Sequence, residues 1–201
     1  HPNEMNDHLI DCFGNIKKLA NHLHLPIQSG SDKVLMAMKR NYTTLEYKLI
    51  IKKLRKKLPN VSLTTDLIIG FPTETTSDFN LTKKLFTELD FDYSFSFIYS
   101  KRPGTPAAYL KDETTDEEKL ERLHEIQSIN IKQGECHTKK MIGTTHRVLI
   151  DHFSKKKPGV LLGKTDNNRI IEFKESKDLL NKFVNVKVMK ILGKSLVGEL
   201  I

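Results

Sequence analysis

Residues 63–79, LTTDLIIGFPTETTSDF, are the first stretch whose residue types could do chemistry. Leu67-Ile68-Ile69 is a short, branched, unbroken apolar run, the pattern of a strand buried on both faces. Gly70 ends it without a side chain, so a flat ligand can approach the backbone closely. Pro72 stiffens the turn. Thr75 or Thr76 can cap a following helix, and Asp78 falls in its first turn, where the helix dipole favours a carboxylate. In parallel α/β proteins ligands bind at the C-terminal ends of strands, in turns of this kind. An ordinary strand-to-helix connection has the same spacing, and both readings stand.

A second polar cluster is Gln28-Ser29-Gly30-Ser31-Asp32. A glycine between two serines offers backbone N–H groups and hydroxyls to a polar ligand. Equally, Ser31 or Asp32 can cap a helix over residues 33–38. A third is the rigid loop 100–108, with two prolines and the basic pair Lys101-Arg102; a fixed guanidinium at a strand exit suits phosphate or carboxylate. The two cysteines, Cys12 and Cys136, lie far apart with no C-x-x-C spacing, so they make no zinc or cluster motif, and unpaired thiols fit a reducing cytoplasm.

These groups must be positioned by the elements around them. Apolar residues at helical spacing (Met5, Leu9, Phe13, Ile16, Leu19) predict a helix over 3–21, interrupted by Gly14, and alternation predicts a strand over 22–27. Thr43-x-x-Glu46 is a capping box, and Leu45, Leu49, Ile50, Leu54 and Leu58 give its helix an apolar face. The outer face carries Lys48, Lys52, Lys53, Arg55, Lys56 and Lys57, a solvated face first and a nucleic-acid surface second. A helix over 77–89 and an aromatic strand over 92–99 follow, with the aromatics assigned to the core rather than to a stacking platform. Thr115-x-x-Glu118 opens a long helix to about Lys140, with Leu120, Leu123, Ile126, Ile129 and Ile131 as its apolar positions.

From there the period changes. Short strands over 146–151, 160–162, 169–173, 183–191 and 196–201, split by polar or glycine turns, predict a small all-β barrel of the OB kind. The fold class is therefore α/β with parallel strands, followed by an OB-like barrel. Three strands are too few to close a (β/α)₈ barrel, so the first part reads as the C-terminal part of a longer enzyme. The chain begins at His1 rather than Met, which fits that expectation. A net charge of +8 and a pI near 9.3 favour an acidic partner, nucleic acid or a merely solvated surface. No apolar run reaches the roughly 20 residues needed to span a bilayer.

Four motifs in order resemble the radical S-adenosylmethionine methylthiotransferases, in particular their tRNA-modifying branch. They are His22-Leu23-His24-Leu25-Pro26-x-Gln28-Ser29-Gly30-Ser31, Asp66-x-Ile68-x-Gly70-Phe71-Pro72-x-Glu74-Thr75, Arg102-Pro103-Gly104-Thr105-Pro106-Ala107 and Gly163-x-Thr165-x-Asn167-Asn168-Arg169. The resemblance implies that residues 1–138 are the C-terminal part of a radical S-adenosylmethionine barrel and 139–201 a TRAM RNA-binding domain. It also implies the reaction. A 5′-deoxyadenosyl radical, made from S-adenosylmethionine at a [4Fe–4S] cluster, removes the C2 hydrogen of N6-isopentenyladenosine beside the tRNA anticodon. A second cluster takes part in sulfur insertion, and another S-adenosylmethionine supplies the methyl.

Carried over residue by residue, Asp66 to Glu74 match the strand element whose backbone, near Ile68 to Gly70, contacts adenine; Asp66 stands where the superfamily pattern has glycine. Gln28 and Ser29 match the polar group near the ribose and methionine, and Arg40 is a further residue for the methionine carboxylate. Arg102 and Thr105 match positions near the substrate base or its phosphate. For RNA, the barrel and its approach offer Lys139, Lys140, Arg147, Lys155, Lys156, Lys157, Lys164 and Arg169, with Phe153 and Phe173 as stacking side chains or core.

The family's Cys-x-x-x-Cys-x-x-Cys loop has no match in these 201 residues, and Cys12 and Cys136 are given no ligand role, so this polypeptide is expected to be inactive alone. Expected partners are the tRNA anticodon stem-loop and donors of sulfur and electrons; no membrane partner and a monomer are expected. Two other readings remain, a methylthiotransferase acting on a ribosomal protein and a non-catalytic RNA-binding remnant.

Overall fold

The computed structural model describes residues 1–155, 157–174, 179–193 and 195–201, which divide into two units. The first comprises residues 1–17 and 23–134, the second residues 18–22 and 135–201.

In the first unit the chain runs α1 (Asp7–Asn15), β1 (His22–His24), α2 (Asp32–Ala37), α3 (Thr44–Lys57), β2 (Ser62–Ile69), α4 (Thr76–Leu89), β3 (Tyr93–Ile98) and α5 (Asp116–Lys139), with α5 running on into the second unit. The sheet order is β1-β2-β3, and β2 pairs with β3 in parallel, Asp66 opposite Phe95. Leu63, Thr65, Leu67 and Ile69 of β2 are fully buried, in a core with Tyr47, Ile51, Leu54, Phe86 and Phe91. Asn130 of α5 finishes the outer edge of β3: its side-chain oxygen accepts from Ser94 N–H at 2.8 Å and its Nδ2 donates to Ser94 O at 3.2 Å.

Local chemistry accounts for most of these boundaries. Thr43 and Glu46 form the expected capping box; at the start of α4 the cap is Thr75 rather than Thr76, and Asp78 returns its bond to complete a second box. Pro26 has no N–H, and strand β1 stops short of it at His24. The Thr65 hydroxyl bridges the gap, donating to Leu25 O and accepting from Ile27 N–H, both at 3.0 Å. Backbone pairing with β2 then resumes, with Gln28 N–H donating to Asp66 O and Ile68 N–H to Gln28 O.

Several expectations are corrected. The first helix ends at Asn15, and Leu19 is exposed beyond it; a 3₁₀ turn, Pro2–Glu4, precedes α1. The buried face of α3 is Tyr47, Ile51 and Leu54, while Leu45 and Leu49 face outward. On α5, Leu120 and Ile131 are exposed, and Leu123, Ile126 and Ile129 pack on the core. The basic run of α3 is largely neutralised within the unit. Lys48 pairs with Glu88, Lys53 with Asp7 and Lys57 with Asp11, and Arg55 donates to the carbonyls of Leu89 and Asp90 at the end of α4.

The second unit contains a closed five-stranded barrel of β4 (Thr145–Phe153), β5 (Val160–Thr165), β6 (Ile170–Lys174), β7 (Phe183–Leu192) and β8 (Ser195–Leu200), in the order β4-β5-β6-β8-β7. β7 returns to pair with β4, so every strand has two neighbours. Val148, Ile150, Leu161, Ile171, Phe173, Val186, Val188 and Leu196 fill the interior. Gly163 and Gly198 are required by close packing, since a Cβ would lie 2.6 Å from Leu149 O at the first and 2.3 Å from Val186 Cγ1 at the second.

Candidate functional site

The two faces of the three-stranded sheet are unlike. Odd-numbered residues of β2 face the helices, whereas Asp66 and Ile68 on its other face are half-buried. Ile68 is therefore not enclosed on both sides, as the apolar run alone suggested. Tyr93, Phe95 and Phe97 of β3 lie on this open face, 50%, 48% and 57% exposed. The aromatics are not core, and the reason is parity. The small Ser94 is buried, with its Oγ 3.2 Å from Ser96 Oγ, and strand alternation sends its aromatic neighbours to the opposite face.

His24 of β1 joins this face. Its Nδ1 lies 3.0 Å from Thr64 Oγ1, its Nε2 lies 3.4 Å from Asp66 Oδ1, and its ring stands edge-on to Phe95, 6.0 Å between centroids. The open face thus presents an oriented imidazole, a carboxylate and a row of rings. It can stack a flat ligand and hydrogen-bond it at one end.

The turn at the C-terminal end of β2 borders that face. Gly70 takes φ +71°, and a Cβ there would lie 2.4 Å from Lys119 Cγ. Glu74 is buried, its Oε1 accepting from Gly70 N–H at 3.1 Å and from Arg122 Nη1 at 2.9 Å. Burial pushes the Glu74 carboxyl above its ordinary value, against the pull of the Gly70 N–H and the Arg122 guanidinium. Arg122 also donates to Thr76 Oγ1 and Glu118 Oε1. Three buried polar atoms around this turn have no hydrogen-bond partner among the described residues: Thr73 Oγ1, Glu74 Oε2 and Tyr99 OH. Tyr99 is joined to the turn through its N–H, which donates to Ile69 O, and through its ring edge against Phe71. Buried polar groups without partners are costly, so these atoms fit a ligand that bears hydroxyl or amino groups. S-adenosylmethionine bears both.

Gln28 and Ser29, in the segment between β1 and α2, are buried, and Gln28 bridges to Leu67 of β2. Gln28 holds a left-handed φ of +74°, strain for a side-chain-bearing residue at a strand end. Ser29 Oγ lies 3.3 Å from Thr82 Oγ1, Gly30 N–H donates to Thr82 Oγ1, and Ser31 Oγ donates to Asp78. The N–H and hydroxyl groups of this cluster thus tie the turn to α4, and Ser31 caps α2. Burial favours protonation of Asp78, but hydrogen bonds from Ser31, Thr75 and Lys33 outweigh it and hold the carboxyl well below the usual carboxylate range. Arg40 is half-buried just after α2. Arg102 is exposed in the loop after β3, where its carbonyl accepts from the Thr105 hydroxyl at 2.8 Å.

In the barrel, Arg147 and Lys164 are exposed on β4 and β5. The Asn-Asn-Arg segment makes the β5–β6 turn: Asn168 takes φ +63°, and Arg169 N–H donates to Thr165 Oγ1. Arg169 Nε donates to Thr138 Oγ1, so this side chain is anchored on the end of α5. Lys157 pairs with Glu172 and Lys139 with Glu135, while Lys140 and Lys155 are exposed and Lys156 lies outside the described residues. Phe173 is core, and Phe153 packs beside it.

The sequence did not single out Arg122 or the contact of His24 with Asp66. Arg122 is separated by 48 positions from the carboxylate it holds, and no local signal announces the pair. No group of three or more His, Cys, Asp or Glu able to hold a metal exists among the described residues. Cys12 is half-buried and Cys136 exposed, both as free thiols. The described residues therefore do not fit an iron–sulfur cluster. No helix among them is long and apolar enough to cross a membrane.

Residues 4–86 match the Radical SAM superfamily, and residues 139–201 match the TRAM domain. Over its whole length the chain is 53% identical to the tRNA-2-methylthio-N(6)-dimethylallyladenosine synthase of Methylobacillus flagellatus, of which it covers 46%. Over 99% of its length it is 50% identical to the synthase of the same name from Nitrosospira multiformis, covering 42% of it. A third, from Cellvibrio japonicus, is 48% identical over the whole chain and 44% covered. The chain thus spans a little under half the length of the curated relatives it matches. The chain carries a radical SAM segment and a TRAM domain and is similar from end to end to these synthases.

Proposed function

We propose that this chain is part of an enzyme that methylthiolates C2 of N6-isopentenyladenosine beside the anticodon of tRNA, with residues 1–138 contributing to the radical barrel and 139–201 to RNA binding. The observation that carries this reading is the strand-end turn 66–74. It opens onto a half-exposed aromatic face and is surrounded by buried polar atoms without hydrogen-bond partners among the described residues. The names of the relatives supply the substrate class.

When bound, S-adenosylmethionine supplies the adenosyl radical and the methyl group. The backbone at Ile68 to Gly70 and the polar atoms of Thr73, Glu74 and Tyr99 would hold its adenosine part, with Gln28, Ser29 and Arg40 toward its methionine part. Asp66, fixed against His24, faces the same space. Tyr93, Phe95 and Phe97 offer ring surface to a purine, and Arg102 and Thr105 follow at the exit of β3. The barrel holds the anticodon stem-loop through Arg147, Lys164 and Arg169. The cluster ligands belong to another part of the protein, so this chain alone is inactive. Donors of sulfur and electrons complete the reaction, in the cytoplasm, by a monomeric enzyme.

The test is nucleoside analysis of tRNA from a strain lacking the gene. Loss of 2-methylthio derivatives of N6-isopentenyladenosine is expected. Unchanged tRNA nucleosides, with a methylthio group missing from a ribosomal protein, would overturn this reading in favour of the protein-modifying branch. Iron analysis of the reconstituted 201-residue chain is expected to find no stoichiometric [4Fe–4S] cluster.

A further inference from the structure

The barrel is closed and fills its own core, yet it carries a large ring on its outside. Phe183 opens β7 and is 57% exposed. In the antiparallel β4–β7 pair, Phe183 stands opposite Leu149, Asn185 opposite Arg147 and Lys187 opposite Thr145. Val148, Ile150, Val186 and Val188 point into the core, so Arg147, Leu149, Phe183, Asn185 and Lys187 share the outer face. There the Arg147 guanidinium lies over the Phe183 ring, 3.9 Å from its centroid.

This arrangement leaves a guanidinium held over a ring on an exposed surface, with Lys187 on the same face and the exposed Lys182 beside Phe183. Three carboxylates lie near: Glu199 stands opposite Lys187 on β8, Asp166 follows Thr165 at the end of β5 and lies 3.6 Å from His146, and Asp151 follows Leu149 and Ile150 on β4 beside His152. Merely covering an exposed ring does not account for the geometry, because the ring stays more than half exposed. A guanidinium laid over an aromatic is a platform for a second flat group, and its N–H donors remain available to phosphate or to a base edge. A ligand that is flat, aromatic and anionic at once is a nucleotide.

We infer that the outer face of β4 and β7 seats an unpaired nucleotide of single-stranded RNA, its base stacked on the Arg147–Phe183 pair and its phosphate near Lys187 or Lys182. The inference rests on reading the barrel as an RNA-binding unit, and it assigns that unit a specific stacking site. Arg147 supplies both charge and a plane, whereas Lys187 and Lys182 supply charge alone.

The experiment titrates the 201-residue chain into an anticodon stem-loop RNA carrying 2-aminopurine at successive loop positions. Wild type is expected to change the fluorescence at one position by stacking. Phe183→Ala should abolish that signal and weaken binding by at least about fivefold, the loss of one base–aromatic stack. Phe183→Tyr should retain both. Arg147→Lys keeps the charge, so it should leave the salt slope unchanged while losing the fluorescence signal and at least about fivefold in affinity. Binding of Phe183→Ala and Arg147→Lys equal to wild type, with the steep salt dependence intact, would overturn the stacking site and leave the RNA-binding reading standing. No RNA binding by wild type, including binding to anionic vesicles instead, would overturn both. Circular dichroism of each variant separates loss of the site from loss of the fold.

Discussion

In the barrel, Val148, Ile150, Val186 and Val188 point into one sealed interior, and β7 closes back on β4 so that no strand is left as an edge. In the three-stranded sheet only one face is sealed: Leu63, Leu67 and Ile69 pack under the helices, while Tyr93, Phe95 and Phe97 of β3 stand half exposed on the other. A closed sheet uses its alternation to separate core from solvent. The open sheet uses the same alternation to separate core from a face that still offers rings, an imidazole and a carboxylate. The difference leaves exposed rings and charged side chains on the outside of the barrel and on the uncovered side of the sheet.

The largest effect is expected where the first unit buries charge. Arg122→Ala removes the partner of the Glu74 carboxylate, which lies within the buried turn, and should cost about 3–5 kcal/mol. Denaturant unfolding followed separately in the two units checks it: the first unit should lose stability while the barrel's transition stays in place. A loss shared equally by both would break the comparison.

Paired glycine substitutions come next. At Gly30 a Cβ would meet the α4 backbone, 2.4 Å from Thr82 Cα, and at Gly198 it would meet Val186 Cγ1 at 2.3 Å and Lys187 O at 2.9 Å. Gly30→Ala and Gly198→Ala should each cost about 1–3 kcal/mol or more, each in its own unit. Thermal melts of the two variants test whether both packings are equally unyielding.

Asp78 gives the pH dependence. Its folded pKa is lowered, so the stability it contributes is present above the unfolded carboxylate pKa and is lost as pH falls through that range toward the folded value. Asp78→Asn should remove about 1–2 kcal/mol at neutral pH, the scale of a lost helix cap, and flatten the acid limb of a stability-against-pH curve. An unchanged acid limb would mean that the Ser31–Asp78–Thr75 cluster does not hold the carboxylate. Smallest of all, Phe97→Ser should change stability by no more than about 0.5 kcal/mol, because its ring lies on the uncovered face. A loss of several kcal/mol would mean that the face is packed.

What could be read from the sequence followed the range of the interaction. The capping box at Thr43, the helix cap at Thr75, the end of the strand before Gly70 and the change of period into a barrel are local, and each is present where the residues predicted it. The direction of the aromatic strand was not legible. Tyr-Ser-Phe-Ser-Phe alternates perfectly, but which half faces inward is set by the parallel register with β2, where Tyr93, Phe95 and Phe97 stand opposite Thr64, Asp66 and Ile68. The leading helix was overdrawn for a related reason: Ile16 and Leu19 keep the helical period, but the chain has already left the helix at Asn15. Of the site, the strand-end turn was legible from glycine and proline. The Glu74–Arg122 pair, the orphaned hydroxyls of Thr73 and Tyr99 and the Arg147–Phe183 stack depend on contacts across the fold.

The central claim is that the barrel's outer surface holds RNA through its cations. The most direct measurement is the affinity of the 201-residue chain for an unmodified anticodon stem-loop as a function of salt. Binding should weaken steeply from low to physiological salt, with a log–log slope of roughly −0.7 for each phosphate contact to single-stranded RNA. Binding that is independent of salt, or no binding at low salt, would contradict it.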